Sequence, residues 1–254
     1  ENERKPYKVE IAEVTDENGD GRIDLSDVEY LMRNKKNTMT LLEGDGDFRS
    51  PECVELLKEA DIVVTNPPFS LFRDYVALLM QYNKQFAIIG NQNAITYREI
   101  FPLIKSNKIW LGYNNGHYWF MVPDSYEEKK TDFKIDESGQ KWRRMGNICW
   151  FTNLDIEKRH ENMTLFRTYS PDIYPKYDNY DAIEVSKTAD IPCDYDGYMG
   201  VPITFMQYYN PEQFEIAGLD DHRVEWVGHG PRLNGKVKYR RVIIRRKQVN
   251  INEN

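Results

Sequence analysis

Residues 61–69 read Asp61-Ile62-Val63-Val64-Thr65-Asn66-Pro67-Pro68-Phe69. Ile62-Val63-Val64 is a short, β-branched, wholly apolar run, the pattern of a strand buried in a parallel sheet. The second half is a stiff loop. Two consecutive prolines fix φ and remove two backbone donors, so the loop offers carbonyls but few N–H groups. In open α/β sheets, ligands sit just beyond the carboxyl ends of strands, which is where this loop falls. The Asn66 side-chain carbonyl and the Pro67 backbone carbonyl can together accept both hydrogens of an exocyclic amino group. That grip withdraws the nitrogen lone pair from ring resonance and aims it at an electrophile. Phe69 adds a flat face on which a base can stack. A plain strand-to-helix turn would also accommodate Asn-Pro.

Outward from this stretch, strand and helix signals alternate. Leu71, Phe72, Tyr75, Leu78 and Leu79 have helical spacing, and Phe86-Ala87-Ile88-Ile89 reads as a second buried strand. A short helix is expected over 97–105, and Ile109-Trp110-Leu111-Gly112-Tyr113 is a third strand. The alternation predicts an open α/β sheet. Residues 123–146 are polar and charged and read as an excursion from that sheet. Residues 147–152 return as a strand able to pair with 109–113. From about 155 the composition turns to Tyr, Asp and Pro, and 214–247 alternates like strands around Gly218, Gly228, Gly230 and Gly235. A domain boundary is therefore placed near 155, giving regions 1–154 and 155–254. Residues 7–11 form a further short strand, and 28–32 a helix-like segment.

Composition narrows the function classes. The chain has 254 residues, is 40% hydrophobic, and carries 5 Trp, 17 Tyr and 11 Phe, which is incompatible with disorder. No apolar run approaches the ~18 residues of a membrane span, so membrane partners are not expected. Three scattered cysteines (Cys53, Cys149, Cys193) build neither a disulfide framework nor a CxxC pair, and no secretory signal is visible. The expected location is the cytoplasm. The formal net charge is −7, yet residues 232–247 hold eight basic and no acidic side chains, leaving −15 on the rest. A basic ribbon on an acidic protein points to local contact with a polyanion, with a solvated strand pair as the plainer alternative. Arg240, Arg241, Arg245 and Arg246 are its candidate DNA contacts.

Further motifs extend the reading. The run GDGDFRS (44–50), TNPPFS (65–70), IIGNQNAIT (88–96), IWLGYNNG (109–116) and MGNICWFTNLD (145–155) resembles the EcoRI-type adenine-specific DNA methyltransferases, the modification methylases. The likeness continues more loosely through YDNYDAI, IPCDYDG and MGVPITF, and so covers most of the chain from about residue 41. The Asn-Pro-Pro-aromatic signature is shared by amino-group DNA methyltransferases. The resemblance implies a Rossmann-like, S-adenosylmethionine-dependent methyltransferase sheet with a C-terminal mixed or β target-recognition region. It implies methyl transfer from S-adenosylmethionine to the amino group of adenine in double-stranded DNA, within a restriction-modification system. Asn66, Pro67, Pro68 and Phe69 are then the catalytic loop. Asp47 and Phe48 would hold the adenine ring of the cofactor, Asp47 accepting from its amino group and Phe48 packing on its face.

One departure stands out. The glycine-rich cofactor loop of such enzymes does not occur in residues 1–40, and the nearest candidate is Ile216-Ala217-Gly218-Leu219-Asp220. With no initiator Met, the expectation is an N-terminally incomplete chain, with a shuffled motif order as the alternative. Two rivals remain at this level: a non-catalytic DNA-binding or assembly module, and a methyltransferase acting on RNA or protein.

A second motif occupies residues 16–27. Asp16, Asn18, Asp20, Asp24 and Asp27 fall at positions 1, 3, 5, 9 and 12 of a calcium loop, with Arg22 at position 7, Gly at 6 and Ile at 8. The spacing predicts a Ca²⁺ site, and the alternative is an Asp/Gly-rich surface turn. Asn91, Gln92 and Asn93 follow the second buried strand at the same sheet edge, where they could contact DNA or the cofactor or merely cap a turn. Trp119, Phe120, Trp150 and Phe151 offer a second stacking face or core packing. The four histidines (His117, His160, His222, His229) show no zinc spacing, and Pro123-Asp124 with Asp132-Phe133-Lys134 matches a nuclease pattern only loosely.

Overall fold

The computed structural model describes residues 5–33, 38–219 and 230–247. His222, His229, Gly228 and Asp220 lie outside them. The chain divides into two compact units, residues 1–61 and 62–254.

In the first unit, β1 (Tyr7–Glu10) pairs antiparallel with β2 (Thr38–Leu41). Between them lies the helix α1 (Leu25–Arg33), with Asp27 in its first turn and Arg33 in its last, the charges that suit the helix dipole. Helix α2 (Pro51–Glu59) starts on a built N-cap, the Ser50 hydroxyl accepting from the Cys53 N–H at 3.3 Å. Pro51 follows at the position where its missing N–H does no harm.

The second unit begins with the apolar run at Ile62. Strand β3 (Ile62–Thr65) is followed by a 3-10 turn over Phe69–Leu71, helix α3 (Phe72–Gln81) and β4 (Gln85–Asn91). Strands β3 and β4 are parallel, with Thr65 opposite Ile88. Helix α3 buries Phe72, Val76 and Leu79, the i, i+4, i+7 face that packs on the sheet. In β4, Phe86, Ile88 and Gly90 point inward on alternate positions. Gly90 is required there, because a Cβ would come within 2.5 Å of Phe72 and 2.8 Å of Phe151. Those two rings touch, centroids 4.9 Å apart.

Helix α4 (Phe101–Lys105) leads into β5 (Trp110–Met121), followed by β6 (Phe133–Ile135) and β7 (Lys141–Thr152). The five-stranded sheet has the order β3-β4-β7-β5, with β6 also on β7. The expected pairing of 147–152 with 109–113 is present: Trp110 faces Thr152 and Leu111 faces Phe151.

Three expectations are corrected. The sheet is mixed, since β7 runs antiparallel to both β4 and β5. β3 is parallel as expected but is not buried on both faces. Among the described residues it lies at the end of the strand order with a partner on one side, and Ile62 and Val64 are 49% and 67% exposed. Residues 133–146 are not an irregular excursion. They form β6 and the outer half of β7, a ribbon with β5 that extends past the last β4 partner, Ile148.

A second sheet follows, of order β10-β13-β9-β8, built from β8 (Ala182–Glu184), β9 (Tyr198–Val201), β10 (Phe214–Leu219) and, further along the chain, β13 (Val242–Arg246). Its core includes Ile183, Met199, Val201, Phe205, Phe214, Val242, Ile243 and Ile244. Between β10 and β13 lies the small hairpin β11 (Arg232–Leu233) and β12 (Lys236–Val237). Its turn is Asn234-Gly235, both at positive φ (52° and 74°), the backbone that a two-residue hairpin of this hand demands. Gly218, the nearest candidate for a cofactor glycine, sits inside β10 opposite Ile243, at a shift of register, and not in a loop. The fold is thus mixed α/β with several sheets of mixed orientation. No helix among the described residues is long and apolar enough to cross a membrane.

Candidate active site

The loop at residues 66–69 leaves the carboxyl end of β3, as the sequence predicted. Pro67 is buried and anchors it, while Asn66, Pro68 and Phe69 are exposed, Phe69 by 42%. The Pro68 carbonyl accepts from the Leu71 N–H at 2.9 Å, which starts the turn into α3. The loop is therefore held from behind by Pro67 and α3, and its Asn amide and aromatic ring face outward. Because β3 and β4 are parallel and in register, residues 91–93 emerge at the same sheet edge. There the Asn91 carbonyl oxygen Oδ1 caps the Asn93 N–H at 2.9 Å. Capping is therefore the role that the structure gives Asn91. Gln92 is 7% exposed, and its Nε2 has no hydrogen-bond partner among the described residues.

Asp47 and Phe48 belong to the first unit and are half-buried. Arg49 grips the Asp47 carboxylate with Nε at 2.9 Å and Nη2 at 2.7 Å, and its N–H adds a third bond at 2.8 Å. These hydrogen bonds from Arg49 hold the Asp47 carboxyl down at about 2. The Arg49 guanidinium also lies 5.1 Å from the centre of the Phe48 ring. Carboxylate oxygens carry about four acceptor sites. With three used, the Asp47 carboxylate keeps acceptor capacity next to the Phe48 ring.

The calcium expectation finds no support. The loop at 16–27 folds on itself, with Asp16 accepting from the N–H groups of Gly19, Asp20 and Gly21 at 2.7, 3.1 and 2.8 Å. Asn18 and Asp20 accept from Asp20 N and Arg22 N, both at 2.9 Å, and Asp24 accepts from Ser26. Asp27 is buried and takes the N–H groups of Glu17 and Asp24, both at 2.8 Å. The carboxylates serve the backbone, and no group of three or more His, Cys, Asp or Glu among the described residues could hold a metal ion.

The basic ribbon proves to be divided. Arg241 is buried, its guanidinium doubly bonded to Glu184 at 2.6 and 3.1 Å, and the Tyr177 hydroxyl donates to the same carboxylate. Although burial works against it, Glu184 carries the Arg241 guanidinium above its ordinary value. Burial, and then the hydrogen bond to Glu184, push the Tyr177 hydroxyl far up. Arg245 pairs with Glu215 at 2.8 Å, and Arg246 donates to the Cys193 carbonyl. The outward face is instead Arg232, Lys236, Lys238, Tyr239 and Arg240, with Tyr239 87% exposed. Arg240 also bonds Thr96, in the turn after β4, at 2.8 Å. The sequence marked the whole ribbon 232–247, lysines included, but the four arginines singled out in it are mostly paired, and the exposed Tyr239 was not among the residues named. Phe151 is fully buried core, whereas Trp119 and Phe120 are each 39% exposed on the β5–β7 ribbon.

Residues 1–247 match the family described as adenine-specific methyltransferase EcoRI. The chain belongs to that family. It is 51% identical over 214 residues to the Type II methyltransferase M.EcoRI of Escherichia coli, covering 81% of this chain and 64% of that relative. The chain thus spans less than two thirds of the E. coli relative's length. It is 42% identical to a Type II methyltransferase of Mycoplasma genitalium (87% of this chain, 75% of the relative) and 41% identical to M.MpnI of Mycoplasma pneumoniae (82% and 70%). No solved structure matches.

Proposed function

We propose that this protein is a site-specific DNA adenine methyltransferase of the restriction-modification type. The observation that carries the proposal is the loop at 66–69, in a member of this family: an exposed Asn and Phe at the carboxyl end of a parallel strand, held by a buried Pro. A target adenine, turned out of the duplex, stacks on Phe69. The Asn66 Oδ1 and the Pro67 carbonyl accept the two amino hydrogens. This grip frees the nitrogen lone pair and orients it. S-adenosylmethionine, when bound, supplies a methyl group already activated on a sulfonium. Positioning is therefore worth more here than a strong base, and the proton departs to water after transfer. Asp47 and Phe48 hold the adenine end of the cofactor.

In this reading β3, β4, β7 and β5 serve as the Rossmann-like catalytic sheet within residues 1–154, and residues 155–254 recognise the target. The exposed cations Arg232, Lys236, Lys238 and Arg240 bind phosphates, while Arg241 holds the recognition region together. The protein works in the cytoplasm on double-stranded DNA. The deciding experiment is transfer of labelled methyl from S-adenosylmethionine to DNA, mapped to the base, with the protein from its full reading frame and its Asn66→Ala variant. Adenine labelling that the variant abolishes, with the fold intact by circular dichroism, is expected. Near-native turnover in Asn66→Ala would refute the mechanism.

A further inference from the structure

The turn that follows β4 holds an unusual side chain. Gln92 is 7% exposed, and its amide nitrogen meets no acceptor among the described residues. A buried NH₂ without a partner is costly, and native proteins place one where a ligand or an ordered water completes it. The position of Gln92 indicates which. Asn66 follows Thr65, the last residue of β3, and Thr65 lies opposite Ile88 of the parallel β4. Gln92 follows Asn91, the last residue of β4. Neighbouring strands are about 4.8 Å apart and rise about 3.3 Å per residue; Asn66 is level with Ile89, so Gln92 leaves the same sheet edge three residues further along and reaches back toward the target with its side chain.

The turn is also rigid. Ala94 and Ile95 are buried at 1% and 0% exposure. The Thr96 hydroxyl donates to the Asn93 carbonyl at 2.9 Å, and the Tyr97 N–H bonds the Ala94 carbonyl at 3.0 Å. Arg240 ties Thr96 to the second sheet. Gln92 is thus presented by a fixed frame, as a recognition group must be.

Chemistry narrows the role. Asn66 Oδ1 and the Pro67 carbonyl can only accept, so they read an amino group and nothing beside it. On adenine the amino group is flanked by two ring nitrogens, N1 and N7, both acceptors. Guanine and thymine present a carbonyl and a ring N–H there and fail at the amino grip already, whereas cytosine, like adenine, presents an amino group beside a ring acceptor; a donor to the ring nitrogen therefore orients an amino-bearing base. Resting on the function proposed above, we propose that the Gln92 amide donates a hydrogen bond to a ring nitrogen flanking the target amino group, and so fixes the orientation of the target base against the Asn66 loop.

The test uses Gln92→Leu and, as a second apolar variant of similar size, Gln92→Met. Single-turnover methylation is measured on a duplex with adenine at the target, and on duplexes carrying 1-deazaadenine or 7-deazaadenine there. Both variants are expected to lose at least about tenfold on adenine, about 1.4 kcal/mol by the thermal conversion. Affinity for S-adenosylhomocysteine and the melting temperature should hold, because no native hydrogen bond of Nε2 is removed. Wild type should lose a similar factor on one deaza analogue, and the variants should lose nothing further on that analogue. Full activity of both variants would overturn the contact. So would a loss of S-adenosylhomocysteine affinity, or losses that multiply on both analogues. If wild type itself fails to methylate adenine, the function proposed above falls; if wild type is active and the variants match it, only the Gln92 contact falls.

Discussion

Arg241 is the residue on which sequence and structure give opposite tests. As one of four arginines in a basic ribbon it should bind phosphate. In the fold it is buried, doubly bonded to Glu184, whose side chain is 4% exposed and also takes the Tyr177 hydroxyl. Replacing it by Met would preserve much of the volume but strand a buried carboxylate. Breaking one side of such a pair costs about 3–5 kcal/mol. For a unit of this size that corresponds to a fall in melting temperature of roughly 6–20 °C. The assay is thermal denaturation followed by circular dichroism, with urea unfolding as a check. Adding Glu184→Gln to Arg241→Met removes the stranded charge while keeping an acceptor for Tyr177, so more than half of the loss should return. DNA binding by Arg241→Met, measured below its melting point, should retain the wild-type salt dependence. A melting temperature within ~2 °C of wild type, together with a flattened salt slope, would refute the argument and return Arg241 to the DNA interface.

Three further outcomes follow from the geometry. Replacing Lys236, Lys238 and Arg240 together by Ala should flatten the slope of log affinity against log salt by roughly 2–3, and an unchanged slope would remove this face from DNA contact. Gly90→Ala forces a Cβ against Phe72 and Phe151 and should destabilise by about 1–3 kcal/mol; a melting temperature equal to wild type would show that the core yields there. Arg49→Ala should release the Asp47 carboxyl from about 2 towards the ordinary carboxylate range, read by carbon NMR. Because the folded value is the lowered one, the stabilising contribution of Asp47 is present above the ordinary range and vanishes as pH falls through about 2. A midpoint unmoved in Arg49→Ala would assign the shift to another cause.

The second unit was legible where side chains are periodic and buried. The spacing of Leu71, Phe72, Tyr75, Leu78 and Leu79 announced α3, of which Phe72 and Leu79 are buried together with Val76, and the apolar run 86–89 announced β4, because burial leaves an apolar pattern in the sequence. The loop at 66–69 was legible for a different reason: its chemistry is local, four consecutive residues after one strand. What failed were properties set by distant partners. Ile62 and Val64 read as doubly buried, yet strand order leaves β3 with a single neighbour among the described residues. Residues 133–146 read, with 123–132, as an excursion from the sheet, since their polar and charged side chains carry no apolar alternation. The calcium spacing was present, but the carboxylates turned to backbone N–H groups that the loop itself supplies.

The basic ribbon shows why such a limit is physical. Glu184 is 57 residues from Arg241 along the chain, so composition alone could not tell a compensated cation from an exposed one. Once the pairs are known, the ribbon splits by position. Within β13 and at its start, Arg241 and Arg245 are matched to carboxylates, Arg241 because a buried charge demands a partner and Arg245 in a half-exposed pair across β10. Around the Asn-Gly turn, Lys236, Lys238 and Arg240 remain outward, on a hairpin with no core to fill. Arg240 touches both worlds, since its guanidinium reaches Thr96 at the end of the turn that also carries Gln92. Lys105 adds a second tie, donating to the Ala217 carbonyl in β10 at 2.6 Å. In the function proposed here, phosphate contacts made at the hairpin therefore bear on the catalytic edge through a short run of hydrogen bonds, and the spacing between them is set by the packing of the two sheets and not by a flexible linker.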